Sequence, residues 1–359
     1  MPARSRPSSN SLAKSARAYR MPAEWEPHAA TWIAWPHNRE DWPGKFGPIS
    51  WVYTEIVRNL SRYERVEIIV NDAASEKRAQ NVLDRANALN DRVGFHRWPT
   101  DRVWTRDSGC TFVKNSDHQA AVSWHFNAWA KYSDWRKDQK IGSLIAKAAR
   151  VNEVRAVFDK KRVVLEGGSI DVNGQGTLLT TEECLLSKTQ ERNPGMKHSD
   201  YEKVFAEYLG ITNVIWLGSG IAGDDTHGHV DDITRFVTPD TVVTAVESDP
   251  NDANYEPLRE NIRRLRAATD QDGNELAIVE LPMPRPIIFK KRRLPASYAN
   301  FYVANGLVLV PVFNDPNDRI ALDALADVFP DREIVGIYCG DLIWGFGAIH
   351  CMTQQQPST

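Results

Sequence analysis

A repeated pattern of strand, strand, helix and strand is the feature that most restricts how this sequence can fold. Helix-like stretches, each with a plausible cap and apolar residues at three- and four-residue spacing, begin near Ser50, Ser75, Asp138, Asp200, Asn254 and Pro316. The last four starts are 62, 54 and 62 residues apart. Hairpin-like pairs of strands precede four of the helices, at 106–126, 166–186, 230–247 and 298–313.

About five such units fit into the 359 residues. They predict an α/β fold made of a closed ring of five ββαβ-like blades with pseudo-fivefold symmetry, because radial repetition leaves few strand edges exposed. The ring would close by pairing a C-terminal strand around His350 with an N-terminal strand at Ala29–Trp35. No Gly/Ser linker or low-complexity run interrupts the alternation, so residues 21–359 are predicted to form a single domain.

The N-terminus and the composition limit the class of protein. Residues 1–20 contain five basic residues, several serines and no acid, and are interpreted as a disordered tail rather than a transit peptide. A formal net charge of −3 gives no electrostatic reason to expect nucleic acid as a partner. No apolar stretch reaches the roughly 18 residues that would indicate a membrane span. Four cysteines without a close pair fit a reducing cytoplasm.

The C-terminal run Trp344–Gln356 contains the strongest candidate for a catalytic nucleophile. It combines two glycines with the pair His350-Cys351, and glycines let a backbone approach a ligand closely. A buried structural cysteine is the alternative, since many free thiols are buried. Cys110, Cys184 and Cys339 belong to no converging motif, and they are expected to tolerate substitution at a cost in stability only.

A second candidate site is the run Asp224–Asp232, which is rich in acids and histidines. If a strand began at Val230, His229 and Asp231 would point to the same face and place an imidazole beside a carboxylate. Two alternatives are open. His227 and His229 with the neighbouring aspartates could bind the ion of a metal-dependent hydrolase, or the run could be an acidic surface loop.

Three acids stand at matching positions of the first three hairpins: Asp107, Glu166 and Asp231. In a ring of blades they would point to one centre, together with His229 and Cys351. A guanidinium is planar, permanently charged and carries five N–H donors, so paired carboxylates are its natural partners. A thiolate can attack its central carbon, and a histidine can protonate the departing ammonia and later deprotonate water. This chemistry needs no metal and no cofactor.

Eight motifs follow one another in a recognisable order. They are Met21–His28, Trp32–Trp35, Arg106–Gly109, Phe126–Trp129, Glu166–Gly168, Gly228–Asp231, Leu294–Tyr302 and Ile349–Cys351. Over about residues 20 to 357 the sequence thereby resembles the agmatine deiminases within the bacterial-type peptidylarginine deiminase family. The resemblance implies a pentein, which is a closed five-bladed α/β propeller with its site on the axis, and it implies no metal.

The resemblance also implies roles for the candidate residues. Cys351 would be the nucleophile, His229 the general acid and base, Asp107 and Asp231 the clamp on the guanidinium, and Glu166 the partner that orients His229 or contacts the substrate. The implied substrate is the small molecule agmatine, converted with water to N-carbamoylputrescine and ammonia through a thiouronium intermediate on the cysteine. Such a protein would act in the cytoplasm, in putrescine and polyamine metabolism, and a homodimer is a family-level expectation.

The binding of the far end of the substrate is less well defined. Trp104 is a candidate to lie against the alkyl chain and Asp225 to receive a terminal ammonium, with packing and a solvated loop acid as the alternatives. Ala130-Lys131 and Gly345–Ala348 stand where well-known agmatine deiminases carry glycine-rich segments. Deimination of peptidylarginine or of another guanidine is therefore an alternative function. A non-catalytic propeller that binds a peptide in its axial groove is a third hypothesis.

Overall fold

A computed structural model describes residues 19–358. The strands in this part of the chain are β1 (His28–Ala34), β2 (Arg65–Val70), β3 (Val93–Arg97), β4 (Thr111–Lys114), β5 (Gln119–Ser123), β6 (Asn152–Arg155), β7 (Val157–Phe158), β8 (Lys161–Arg162), β9 (Asp171–Val172), β10 (Thr177–Thr181), β11 (Asn213–Leu217), β12 (Thr234–Phe236), β13 (Thr241–Val246), β14 (Ala277–Pro282), β15 (Ile288–Phe289), β16 (Arg292–Arg293), β17 (Tyr302–Ala304), β18 (Leu307–Val312), β19 (Glu333–Tyr338) and β20 (Gln354–Pro357). The α-helices are α1 (Phe46–Leu60), α2 (Ala73–Arg85), α3 (Thr105–Ser108), α4 (Ile141–Ala148), α5 (Glu182–Leu186), α6 (His198–Leu209), α7 (Tyr255–Ala267) and α8 (Asn317–Val328).

Five sheets repeat one arrangement. They are β20-β1-β2-β3, β4-β5-β6, β9-β10-β11, β12-β13-β14 and β17-β18-β19. In each, the first two strands named here are antiparallel, and the next pair is parallel and is connected through a helix. A helical crossover is the usual connection between parallel neighbours. The predicted ββαβ unit is therefore confirmed.

The periodicity of the helices explains their packing. In α1 the buried residues recur at three- and four-residue spacing and form one apolar face: Ile49, Val52, Tyr53, Ile56, Val57 and Leu60. Helix α2 is capped by Asp72, whose carboxylate accepts a hydrogen bond from the backbone N–H of Ser75 at 2.7 Å. Helix α6 ends at Gly210 with φ 72°, a left-handed conformation that glycine adopts at little cost.

The two ends of the chain meet in one sheet, as predicted, but at a different position. β20 pairs antiparallel with β1, with Gln355 opposite Thr31, whereas His350 lies in a turn ahead of that strand. The second hairpin is shorter than predicted, because the chain enters α5 after Thr181. The hydroxyl of Thr181 accepts a hydrogen bond from the backbone N–H of Cys184 at 3.0 Å and so caps this helix.

The predicted disordered tail, residues 1–20, lies almost entirely outside the described residues. Its last residue, Arg20, belongs to the fold: its backbone pairs with Lys114, and its guanidinium contacts Glu26 at 2.8 Å. Between residues 19 and 358, every helix is too short or too polar to cross a lipid bilayer.

The repeat places one turn at the start of an antiparallel strand in each of the five sheets. The turns ahead of β4, β9, β12, β17 and β20 contain, in that order, Asp107, Glu166, Asp231, Asn300 and Cys351. Side chains of different chemistry thus come from equivalent positions of five separate units.

Candidate active site

Buried ionisable side chains surround the ring of His229. Its Nδ1 lies 3.9 Å from Oδ1 of Asp107, and its Nε2 lies 3.7 Å from Oε2 of Glu166. Asp231 stands between the ring and the thiol: Oδ1 is 4.0 Å from Nδ1 of His229, and Oδ2 is 3.9 Å from the sulfur of Cys351. None of the five side chains is more than 6% exposed. The five predicted catalytic residues therefore converge.

His229 and Asp231 meet by a different route from the predicted one. Val230–Asp232 forms a 3-10 turn, and the strand β12 begins only after it. The expectation that both side chains share one strand face was therefore wrong. The loop ahead of the turn is fixed by Asp224, whose carboxylate accepts hydrogen bonds from the backbone N–H groups of Gly228 at 2.6 Å and His229 at 3.1 Å.

Asp107 is held by two donors. Nε1 of Trp129 donates to Oδ2 at 2.9 Å, and the backbone N–H of Gly168 donates to Oδ1 at 3.0 Å. A Cβ atom on Gly168 would lie 2.5 Å from Nδ1 of His229 and 2.9 Å from Asp231, so only glycine fits there. Burial and the neighbouring carboxylates raise the pKa of Asp107 to about 6.

Glu166 is kept ionised by a buried arginine. Nε of Arg192 lies 3.2 Å from Oε1 of Glu166, and neither side chain is exposed. Burial alone would raise the pKa of Glu166, but Arg192 and His229 lower it to about 2. Burial likewise opposes a charge on His229, yet Asp107 and Glu166 raise the pKa of the imidazole well above its usual value. The environment therefore favours a protonated His229 next to an ionised Glu166.

Asp231 is positioned by His350, which lies between two carboxylates. Nδ1 of His350 is 2.6 Å from Oδ2 of Asp231, and Nε2 is 2.8 Å from Oε2 of Glu24. Glu24 in turn contacts Arg106 at 3.1 Å and Arg235 at 2.9 Å. A buried network of alternating charge therefore fixes the carboxylate nearest to the thiol.

Asn300 positions the thiol of Cys351. Its Nδ2 donates to the sulfur at 3.1 Å and to Oδ1 of Asp232 at 2.9 Å. Its Oδ1 accepts a hydrogen bond from the backbone N–H of His350 at 3.0 Å. Burial and the nearby aspartates raise the pKa of Cys351 well above its usual value, so the environment favours the neutral thiol.

A cavity of about 470 Å³ reaches the thiol. Its walls include Cys351, Trp104, Asp107, Trp129, Tyr132, Asp225 and Phe346. The C-terminal glycines were predicted to let the backbone approach a ligand, but they also make room for indole rings. A Cβ atom on Gly347 would lie 2.7 Å from the ring of Trp104 and 3.1 Å from Cβ of Cys351. Trp104 thus packs beside the nucleophile in the cavity wall.

Asp225 already binds three partners. Its Oδ1 accepts hydrogen bonds from Nζ of Lys131 at 2.6 Å and from the guanidinium of Arg292, and its Oδ2 accepts one from the hydroxyl of Tyr132 at 2.5 Å. Although burial opposes ionisation, these contacts lower the pKa of Asp225. A terminal ammonium would have to share this carboxylate with two cations.

His227 does not join His229. Its Nε2 lies 3.1 Å from the hydroxyl of Ser187, and its Nδ1 lies 3.6 Å from Glu183. In the part of the chain that the structure describes, two groups of three His, Cys, Asp or Glu side chains bring ligand atoms within 4.8 Å of one another, and His227 is in neither. His227 and His229 therefore do not form the alternative metal site with the neighbouring aspartates.

Cys184 lies closer to the site than the sequence predicted. Its sulfur is within 4.8 Å of ligand atoms of Glu166 and His229, and the side chain is fully buried. The expectation that Cys184 belongs to no converging group was wrong. The hydrogen bond from the backbone N–H of Cys184 to the cap residue Thr181 fixes this cysteine next to the imidazole of His229.

Comparison with known proteins agrees with this geometry. The sequence model of the Porphyromonas-type peptidyl-arginine deiminases matches residues 20–357. The chain belongs to this family. It is similar to the agmatine deiminase of Ectopseudomonas mendocina, with 35% identity over 96% of each protein.

Solved structures of agmatine deiminases have the same fold. One is the structure of the Enterococcus faecalis agmatine deiminase catalysing its reaction. It has 33% identity and a TM-score of 0.87, and the match covers 96% of this chain and 97% of that chain. Another is a cysteine-to-serine variant of the C. jejuni enzyme with substrate bound, with 28% identity, a TM-score of 0.83 and coverage of 95% and 96%. The predicted membership of the family and the predicted α/β fold are confirmed.

Four residues of the site were not predicted from the sequence: Trp129, Arg192, Asn300 and Glu24. Each contacts a partner that is distant in sequence. Trp129 is 22 residues from Asp107, and Arg192 is 26 residues from Glu166. Asn300 could have been found, because it occupies the turn of the fourth unit that corresponds to those of the three acids.

Proposed function

We propose that this protein is an agmatine deiminase, which hydrolyses a C–N bond of the guanidinium group with Cys351 as nucleophile. The observation that carries the proposal is a group of four buried polar atoms without a hydrogen-bond partner among the described residues. They are Oε2 of Glu166, Oδ1 of Asp231 and both ring nitrogens of His229. Buried polar atoms are almost always paired in native proteins, so these atoms are available to a ligand.

A guanidinium supplies what these atoms lack. It offers five N–H donors in one plane and a permanent charge, and three carboxylates surround the place where it would lie. Each charge-assisted hydrogen bond contributes roughly 1.5–3 kcal/mol. Each acid is also fixed by a partner of its own, namely Trp129, Arg192 and His350 for Asp107, Glu166 and Asp231 respectively. The site is therefore organised before the substrate arrives.

The first half of the reaction forms a bond to sulfur. A guanidinium beside Cys351 lowers the pKa of the thiol, because a nearby positive charge favours the thiolate, and the thiol proton passes to solvent. The sulfur then bonds to the central carbon of the guanidinium. His229 transfers a proton to one nitrogen, and the bond from carbon to that nitrogen breaks to release ammonia.

The second half restores the enzyme. The thiouronium on Cys351 is attacked by a water molecule, from which the now neutral His229 removes a proton. The carbon–sulfur bond breaks as the proton of the new hydroxyl group passes to the departing sulfur and restores the thiol, and a ureido compound remains, which is N-carbamoylputrescine when agmatine is the substrate. Guanidine and water thus give ureido product and ammonia, and no step requires a metal or redox cofactor.

The same proposal includes two finer predictions. The five sheets would be the blades of a closed propeller, with His229 near its axis and with residues 21–358 in one domain. This is supported by the five equivalent turns that carry the site residues. Trp104 would lie against the alkyl chain, which is supported by its position in the cavity wall next to Cys351.

The function is tested with a panel of agmatine, free arginine and an arginine peptide. Ammonia and ureido product should appear in equal amounts from agmatine, and activity should survive treatment with EDTA. Loss of activity with EDTA and recovery with a divalent ion would support the metal-dependent alternative instead. Peptide binding without release of ammonia would support a non-catalytic propeller.

A further inference from the structure

The cavity that reaches Cys351 has an acidic wall. Among the described residues that line it, five are acids and one, Arg102, is a cation. The five acids are Glu40, Asp41, Asp107, Asp134 and Asp225. A wall with more acids than cations attracts positively charged ligands. A substrate with a positive charge at each end therefore suits this cavity better than one with a neutral or negative far end.

Two acids of the wall share one cation. Nη1 of Arg102 donates to Oδ1 of Asp41 at 2.6 Å, and Nη2 donates to Oδ1 of Asp134 at 3.1 Å. The guanidinium of Arg102 also lies over the ring of Tyr132, 4.2 Å from its centroid. Two negative charges and one positive charge leave an excess of negative charge at this place.

The balance at Asp225 is the opposite. Lys131 and Arg292 both bind its carboxylate, and the hydroxyl of Tyr132 donates to it as well. One negative charge is thus shared by two positive charges. Asp225 therefore has less negative charge to offer a terminal ammonium than Asp41 has.

Asp41 keeps an unused acceptor. Its side chain is only 2% exposed, and its Oδ2 is buried with no hydrogen-bond partner among the described residues. Buried polar atoms are almost always paired in native proteins, so this oxygen is available to a donor from a ligand. Burial raises the pKa of Asp41 to about 6 although Arg102 opposes it, and Asp134 and Glu40 add to the rise. A further cation would therefore stabilise the ionised carboxylate.

Trp104 connects the thiol to the segment that carries Asp41. A Cβ atom on Gly347 would lie 2.7 Å from the ring of Trp104 and 3.1 Å from Cβ of Cys351. Trp104 also packs against Trp42, with ring centroids 5.9 Å apart, and Trp42 follows Asp41 directly in the sequence. An alkyl chain that leaves Cys351 along Trp104 therefore leads toward Asp41.

We propose that Asp41, assisted by Asp134, binds the terminal ammonium of agmatine and so determines the specificity for the far end of the substrate. The inference rests on the proposed deimination at Cys351 and adds the residues that select among guanidines. An ammonium carries three N–H donors, so one can bind Oδ2 of Asp41 while Arg102 keeps its bond to Oδ1. An uncharged far end leaves that oxygen unpaired, and a carboxylate at the far end is repelled by both acids.

The experiment compares kcat/KM for agmatine and for pentylguanidine, in which a methyl group replaces the terminal ammonium. The wild-type protein should prefer agmatine by at least about tenfold. Asp41→Asn should lower kcat/KM for agmatine by about 10- to 100-fold, mainly through KM, and change the value for pentylguanidine by less than about threefold. Asp134→Asn should act in the same direction by about threefold, because its side chain is 47% exposed.

Asp315→Asn is the matched control. The side chain of Asp315 is also buried and also binds an arginine, Arg285, at 2.8 Å, but it does not line the cavity. Its substitution should leave the ratio of the two kcat/KM values unchanged. If Asp41→Asn does not fold, Asp134→Asn decides by the same ratio, because the exposed Asp134 can be replaced without disturbing the core.

Equal use of the two guanidines by the wild-type protein would overturn the inference, as would a loss of preference in Asp225→Asn but not in Asp41→Asn. Failure of the proposed function has a different signature, which is no ammonia from either guanidine. In that case the two compounds are compared by how well they protect Cys351 from alkylation by a haloacetamidine. Better protection by agmatine that is lost in Asp41→Asn still supports the inference, and equal protection overturns it.

Discussion

The side-chain amide of Asn300 donates a hydrogen bond to the sulfur of Cys351 at 3.1 Å. The same nitrogen, Nδ2, also donates to Oδ1 of Asp232 at 2.9 Å. The fourth repeat unit thus supplies a neutral donor where the first three supply acids. A donor at sulfur stabilises the thiolate in surroundings whose carboxylates destabilise it.

Asn300→Ala should lower kcat by about 10- to 100-fold, because one charge-assisted hydrogen bond to the thiolate is lost. The pH dependence of Cys351 alkylation should move to higher pH, which a purely structural defect would not produce. Asn317→Ala is the control: this amide donates to the carbonyl of Met283 at 2.8 Å, away from the cavity. Unchanged alkylation in Asn300→Ala would contradict the assigned role.

Asp107→Asn should remove activity without reducing stability. The pKa of Asp107 is raised from 3.8 to about 6 in the folded protein, so the unfolded chain ionises it more readily. The protonated Asp107 therefore stabilises the folded state relative to the unfolded chain below about pH 4, and this stabilisation is lost as the pH rises through 6. At pH 7.5 the buried charge costs on the order of 3 kcal/mol, which asparagine avoids. Turnover should fall by at least about 100-fold, and Tm should not decrease.

The control for this variant is Asp315→Asn. Asp315 binds the exposed Arg285 at 2.8 Å, and this contact lowers its pKa. Its substitution should keep full turnover and lower Tm slightly or not at all. An Asp107→Asn protein that is both inactive and less stable than wild type at pH 7.5 would show that the acid serves the fold instead of the substrate.

The pH dependence of kcat/KM should also reflect the ionisation of Asp107. Asp107 must be ionised to bind a guanidinium, so kcat/KM should fall about tenfold per pH unit below pH 6. In kcat the acid limb should lie at lower pH, because the bound cation lowers the pKa of Asp107. A profile of kcat/KM that stays flat down to pH 5 would exclude Asp107 from the group that binds the free substrate.

The repeat explains why much of this site could be predicted from the sequence. Turn and strand patterns recur in each unit, so the spacing of these patterns is enough to put Asp107, Glu166 and Asp231 at equivalent positions. The local conformation was less predictable, as the 3-10 turn after His229 shows. A short buried run fits either a strand or a tight turn, and long-range contacts decide between them.

The partners of the site residues were not predictable in the same way. Arg192 reaches Glu166 from an irregular segment, and Glu24 reaches His350 from the other end of the chain, 326 residues away. Such contacts depend on how whole sheets pack and leave no local spacing to recognise. The same holds for Lys131 and Arg292, which meet at Asp225 from different units.

Covalent labelling of Cys351 tests the nucleophile directly. A haloacetamidine presents an amidine to the acids while its carbon accepts sulfur, so one residue should be modified and agmatine should protect it. Cys110, Cys184 and Cys339 are at most 1% exposed, and none lines the cavity. Cys351→Ser should lose both the label and at least about 1,000-fold of the turnover, since a hydroxyl has a far higher pKa than a thiol.

Cys184→Ser is the informative comparison, because that sulfur lies within 4.8 Å of ligand atoms of His229 and Glu166. It should keep the label on Cys351. Mass spectrometry that locates the label on Cys184, or full turnover in Cys351→Ser, would rule out the proposed mechanism.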